Sequence, residues 1–153
     1  MRVLVSGLLV LAAAGGCGED TIPLADYVER ANAICEDNNT RGRAELQRAR
    51  KRLEADGELD SKELPELNRK ALEILRPGLD RLAELPPPDQ QQDVAETYER
   101  ASLDANDAFA DVIQAQEDGD VERFRDARAS NEKHTQDARE AADELGLDDC
   151  APG

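Results

Sequence analysis

Aromatic side chains are scarce in this chain of 153 residues, and tryptophan is absent. The aromatic residues are Tyr27, Tyr98, Phe109 and Phe124. A core without large rings has to be built from Ala, Leu and Val, so it will be thin and closely spaced. Residues with β-branched side chains are also few, and no segment alternates apolar with polar residues. The chain is therefore predicted to be all-α.

Histidine is nearly absent as well, since His134 is the only one. A lone histidine inside a helical segment gives no Ser-His-Asp or Cys-His arrangement. A di-metal bundle needs Glu-x-x-His on two helices, and the residue at that spacing here is Asn131. We therefore predict that the chain is not an enzyme, and that it has no catalytic residue, no metal site and no cofactor.

Basic residues are outnumbered, with 19 Lys and Arg against 35 Asp and Glu, which gives a net charge of -16. This charge excludes non-specific binding to nucleic acid, because the phosphate backbone repels an acidic surface. It also disfavours a bundle lying flat on anionic lipid. We expect no nucleic-acid partner.

The N-terminal segment has the pattern of an export signal. Arg2 precedes an apolar run over residues 3–14, and Cys17 follows two glycines. The run is about 20 Å long as a helix, whereas a bilayer core is about 30 Å thick, so it is too short to span a membrane. We predict a signal peptide over residues 1–16, a diacylglyceryl and palmitate anchor on Cys17, and a tether over residues 17–23. The protein would then be exported and anchored at the outer face of the cell membrane.

A second processing site is present in the same segment. Lipoprotein signals usually have Leu three residues before the cysteine, and this chain has Ala14 there. Residues 12–14 also form an A-x-A site, which an ordinary signal peptidase would cleave. Cleavage there would leave Cys17 as a free thiol on a secreted protein.

Cys35 and Cys150 remain once Cys17 is assigned to lipidation. An even pair of cysteines in an exported chain predicts a disulfide, because bonds of this kind persist in oxidising compartments.

Turn signals divide residues 24–153 into four segments of helical period. The segments begin near Leu24, Leu64, Asp89 and Asp120, and Asp89 is placed to cap the third helix. Four helices with short links favour an antiparallel four-helix bundle of up-down-up-down order, closed by one disulfide. Cys35 lies about 16 Å along the first helix, and five extended residues after Leu145 span a similar distance to Cys150.

Four polar residues lie on helical stripes at mid-bundle height, and these are Asn38, Asn106, Asn131 and His134. They form a candidate cluster for a small ligand or an ion. The alternative is that the four side chains satisfy one another and fix the register of the helices.

A basic tract occupies residues 41–52, with five Arg, one Lys and a single acid, Glu45. It is a candidate surface for an acidic partner or a phosphate-bearing ligand. The alternative is a solvated helix face whose charges pair locally with Glu45 and Glu54.

The run from Tyr27 to Cys35 has the form Y-x-x-x-A-x-x-I-C, and Leu145 to Cys150 reads as a GL-x-x-C tail. Together with a mid-chain proline run, these motifs resemble a group of small actinobacterial lipoproteins. The resemblance implies a helical bundle closed by Cys35 and Cys150, and it implies no activity. We expect a non-enzymatic cell-envelope module that binds an unidentified envelope protein. The alternative function is a small-molecule or ion binder at the cluster around His134.

Overall fold

A computed structural model describes residues 21–55 and 64–150. The predicted signal peptide over residues 1–16 and the predicted lipidation site Cys17 lie outside the described residues. Four helices account for most of the described chain: α1 Leu24–Ala55, α2 Leu64–Ala83, α3 Gln92–Asp118 and α4 Val121–Leu145. The described residues form no strand, and the prediction of an all-α chain with four helices is confirmed.

The ends of α3 and α4 follow the turn signals of the sequence. Gly119 ends α3 and Gly146 ends α4, both with positive φ, where glycine has no Cβ to clash with the backbone. Asp120 begins α4, and its side chain accepts a hydrogen bond of 3.0 Å from the Arg123 backbone N–H. This bond satisfies one of the free donors at the helix start.

Each helix packs against the next along the chain, and the contact between α3 and α4 is the most extensive. Within that pair, the Asn131 side chain donates to the Ala105 carbonyl over 2.8 Å. Between α2 and α3, the Arg76 guanidinium reaches the Asp107 carboxylate at 3.3 Å. Small residues dominate the α3 and α4 contact, which allows the two backbones to approach closely.

The main core lies at the end of the molecule where α1 begins and α4 ends. Its buried members are Tyr27, Ala31, Cys35, Leu82, Ala95, Tyr98, Ala101, Ala138, Ala141, Ala142, Leu145 and Leu147. Towards the other end the apolar side chains are covered unevenly. Phe124 and Ala127 are half-buried, and Leu75 is 37% exposed. The buried residues at this end are Ala49, Ala108, Val112, Ile113 and Ala115.

Asp89 has a different role from the one predicted. The third helix begins at Gln92, and its N-cap residue Gln91 has a φ of 60° and makes no side-chain capping bond. The Asp89 carboxylate instead accepts from the Leu24 backbone N–H at 3.1 Å, so it caps the start of α1. Local sequence patterns could not predict this contact, because 65 residues separate the two partners.

The described part of the predicted tether is attached to the bundle. The Ile22 backbone N–H donates to the Pro87 carbonyl at 3.0 Å, and the Ile22 carbonyl accepts from the Asp89 N–H at 2.8 Å. These two bonds form an isolated parallel bridge between Ile22 and Pro88. Pro88 is fully buried, so the triple-proline loop provides a docking site for the chain just before α1.

The C-terminal tail is also different from the expected extended segment. Residues 148–150 form a turn, and the Cys150 N–H donates to the Leu147 carbonyl at 3.1 Å. Leu147 is 1% exposed and enters the main core. The tail turns back because an apolar side chain is buried there, and an extended tail would leave Leu147 in water.

Candidate functional site

The disulfide joins Cys35 on α1 to Cys150 after α4, with 5.0 Å between the two Cα atoms. This confirms the predicted pairing. Cys35 is buried in the main core, and its sulfur lies 4.0 Å from the Tyr98 hydroxyl. Cys150 is half-buried at the edge of the same core.

Two asparagines of α1 hold the tail against the bundle beside the disulfide. The Asn32 carboxamide accepts from the Asp149 backbone N–H at 3.1 Å and donates to the Gly146 carbonyl at 3.4 Å. Asn39 donates to the Asp149 carbonyl at 2.8 Å. Neither asparagine was predicted from the sequence to hold the tail. Their spacing of seven residues, two helical turns on one face, was the available signal.

Tyr27 and Tyr98 lie together in the core next to the disulfide. Burial raises the pKa of Tyr27 to about 12, and the neighbouring Tyr98 and Glu99 add to the effect. Burial also raises the pKa of Tyr98, partly offset by a hydrogen bond with Ser102. Both phenols therefore stay neutral to higher pH than a tyrosine in water.

The four polar residues of the candidate cluster are divided between two helix pairs. The Asn38 amide donates to the Leu75 carbonyl on α2 at 3.4 Å, whereas Asn131 bonds α3. His134 also faces α3, where its Nδ1 lies 3.9 Å from the Asp104 carboxylate. Asn106 lies on α3, and all four side chains are partly exposed. Asn38 and Asn131 thus bond backbone carbonyls of neighbouring helices rather than one another.

A groove of about 550 Å³ runs between α3 and α4 and includes His134. Its wall is mostly charged, with five carboxylates, and with Arg100 and Lys133 as the cations. None of the three asparagines of the candidate cluster lines it. In residues 21–55 and 64–150, no group of three or more His, Cys, Asp or Glu side chains is arranged to hold a metal ion.

The basic tract over residues 41–52 lies in the second half of α1. Its first residue, Arg41, pairs with Asp37, which also contacts Arg81 of α2 at 2.9 Å. Hydrogen bonds from Arg41 and Arg81 hold the pKa of Asp37 below its usual value. Arg41 is therefore engaged in joining α1 to α2.

The other cations of the tract are exposed, and they are Arg43, Arg48, Arg50, Lys51 and Arg52. The Nε atoms of Arg43 and Arg48 donate to carbonyls one turn back on α1, at 3.2 and 3.3 Å. Arg48 also contacts Glu45 at 2.6 Å, with 64% of its side chain exposed. An exposed pair of this kind contributes little to stability, because water and salt screen it.

Comparison of the chain with protein-family models, with characterised proteins and with solved structures finds no match. Of the helices that the structure describes, none combines the length and the apolar character needed to cross a membrane.

Proposed function

We propose that this protein is an exported lipoprotein, anchored by lipid on Cys17, whose helical bundle binds a component of the cell envelope without enzymatic activity. The observation that carries the proposal is the disulfide between Cys35 and Cys150. Bonds of this kind persist outside the reducing cytoplasm, so the pairing supports the export that the N-terminal pattern predicts. On this proposal the chain belongs with the small actinobacterial lipoproteins that its motifs resemble.

The proposed arrangement is an up-down-up-down bundle with both chain ends at the membrane. Several contacts support it. Arg69 near the start of α2 pairs with Glu117 at the end of α3, and Arg123 near the start of α4 reaches Asp111 late in α3 at 3.0 Å. Ile22 is bound to the loop before α3, on the side of the molecule where the main core and the disulfide lie. The far ends of α1 and α2 would then point away from the membrane.

The N-terminal mass spectrum of the full chain, expressed in a bacterium that processes lipoproteins, tests the anchor. We expect the mature protein to begin at Cys17 with a diacylglyceryl adduct, and to fractionate with membranes. The Cys17→Ser variant is the matched control, and it should lose the adduct. An unmodified terminus at Gly15 would contradict anchoring and would show a secreted protein instead.

A small-molecule or ion site around His134 is the second candidate. The groove between α3 and α4 favours it, because His134 and Asp104 both line this groove and come within 3.9 Å of each other. Native mass spectrometry of wild-type protein and of His134→Leu tests the site. A species bound to the wild type and lost in the variant would support it, and two identical ligand-free spectra would refute it.

A further inference from the structure

The distribution of charge along the chain is strongly uneven. Residues 89–150 carry nineteen carboxylates against six Arg and Lys. The tract over residues 41–52 has the opposite balance, with six cations and only Glu45 as an acid. At physiological ionic strength charges are screened beyond about 8 Å, so a ligand at the tract responds to the local cations more than to the net charge of the protein.

The cations of the tract cover the whole solvent-facing arc of α1. At 100° per residue, Arg48 and Arg52 flank one side of the buried stripe formed by Gly42 and Ala49, and Arg43 and Arg50 flank the other. Lys51 lies on the arc between these two flanks. The other exposed side chains of the tract, Ala44 and Gln47, are neutral. An anion approaching this face from solvent therefore meets cations on both flanks of the arc and at its middle.

Five of the six cations are arginines. A guanidinium presents paired N–H donors that match the oxygens of a phosphate group, whereas an ammonium acts as a point charge. The tract spans about 16 Å of helix, which is the length of several repeats of an extended polymer rather than of one small ion. This composition and length fit a chain of linked phosphates.

We propose that residues 43–52 of α1 form a docking surface for a flexible, phosphate-bearing anionic polymer of the cell envelope. This inference names the partner class for the binding module and in that respect rests on the proposed function. A flexible polymer can follow the tract while it avoids the acidic α3 and α4 side of the molecule. Duplex DNA is stiff over about 50 nm, so it would also face those carboxylates.

The position of the tract favours a polymer over the membrane surface. Arg43 lies nineteen residues after Leu24, which is about 28 Å along α1 at 1.5 Å per residue. If the chain ends lie at the membrane, this distance places the tract several screening lengths away from anionic head groups. The tract would therefore meet material that fills the envelope beyond the membrane.

The test measures binding of the full-length, detergent-purified protein to linear inorganic polyphosphate. We expect the affinity for polyphosphate to fall steeply as salt is added. At about 0.1 M salt, R48Q/K51Q/R52Q should bind at least tenfold more weakly than the wild type, because each lost contact with a phosphate reduces the number of counterions released on binding. The matched control is R125Q/R128Q/R139Q, which removes the same charge from exposed positions of α4. The control should change the affinity less than twofold.

The alternatives are decided by parallel measurements. Equal losses in the tract variant and in the α4 control would overturn the proposal, as would no binding by the wild type. A parallel experiment measures binding to vesicles of phosphatidylglycerol and to vesicles of phosphatidylcholine. Because a lipid anchor inserts into both kinds of vesicle, only the difference between the wild type and the tract variant reports on the tract. A tract-dependent preference for phosphatidylglycerol without polyphosphate binding would assign the surface to the membrane. The N-terminal mass spectrum tests the proposed function separately, because polyphosphate binding does not require the anchor.

Discussion

The Asn38 side chain of α1 packs directly against Gly78 of α2. A Cβ built on residue 78 would lie 2.9 Å from Asn38 Oδ1 and closer still to the rest of the carboxamide. The same carboxamide donates to the Leu75 carbonyl at 3.4 Å.

We expect Gly78→Ala to destabilise the protein by about 1 kcal/mol, although alanine is the better helix former by a similar amount. The added methyl forces Asn38 to rotate and removes its bond to Leu75, and both effects oppose the gain in helix propensity. Urea unfolding followed by circular dichroism measures the change.

The Asn38→Ala background provides the control for this prediction. Without the carboxamide the methyl group has room, so Gly78→Ala should there stabilise the protein by about 0.5–1 kcal/mol. A double-mutant cycle separates the contact from helix propensity. The same sign of effect in both backgrounds would show that the contact does not limit the approach of α1 and α2.

The sequence predicted where the helices lie along the chain better than it predicted which residues they contact. Helical period and the turn signals at Gly119 and Gly146 placed all four helices, since both kinds of signal are local. The start of α3 was wrong by three residues, because Asp89 is used by α1. A contact between residues so far apart in the sequence leaves no periodic signal.

The candidate cluster shows the same limit. The helical stripes correctly placed Asn38, Asn131 and His134 on inward-turned faces, where all are half-buried. They did not indicate that Asn38 contacts α2 while the other two contact α3. A stripe shows which face of a helix turns inward. Which helix that face then contacts depends on how the helices pack.

The cap that Asp89 forms on α1 predicts a non-local effect. Asp89→Ala should destabilise the protein by about 1 kcal/mol, because the Leu24 N–H loses its acceptor and a negative charge is lost at the helix start. Hydrogen exchange should speed up at the first turn of α1. Asp93→Ala, in the first turn of α3, is the control. Faster exchange confined to α3 would show that Asp89 serves its own helix after all.

The raised pKa of Tyr27 predicts alkaline instability. The folded protein favours the neutral phenol, with a pKa of about 12 against 10.0 for an unperturbed tyrosine. The stabilisation is complete below pH 10 and is lost as the pH rises from 10 towards 12. The loss is on the order of 1–3 kcal/mol.

Phenolate absorbance measures this transition without interference, since the chain has two tyrosines and no tryptophan. In Tyr98→Phe, which isolates Tyr27, the remaining phenol should still titrate well above pH 10 because it is buried, and its ionisation should coincide with unfolding. Tyr27→Phe should flatten the fall in stability between pH 10 and 12. Titration of Tyr27 near pH 10 in the folded protein would contradict the burial argument.

The disulfide and the tail stabilise the protein by separate means. The bond joins residues 115 positions apart. In the chain-entropy view it restricts the unfolded chain and contributes about 4–5 kcal/mol. Leu147, by contrast, is packed in the core, and its N–H donates to the Ala142 carbonyl of α4 at 2.9 Å.

We therefore expect Cys35→Ser/Cys150→Ser to lower the free energy of unfolding by about 4 kcal/mol while the tail stays docked under native conditions. Leu147→Ala, with the disulfide intact, should cost about 2–4 kcal/mol by leaving a cavity. Hydrogen exchange at the Asp149 amide distinguishes the two, because its acceptor is the Asn32 side chain of α1, so its protection depends on the docked tail and not on the covalent bond. Loss of that protection in the double serine variant, with Asn32 and Asn39 unchanged, would show that the bond itself holds the tail against α1.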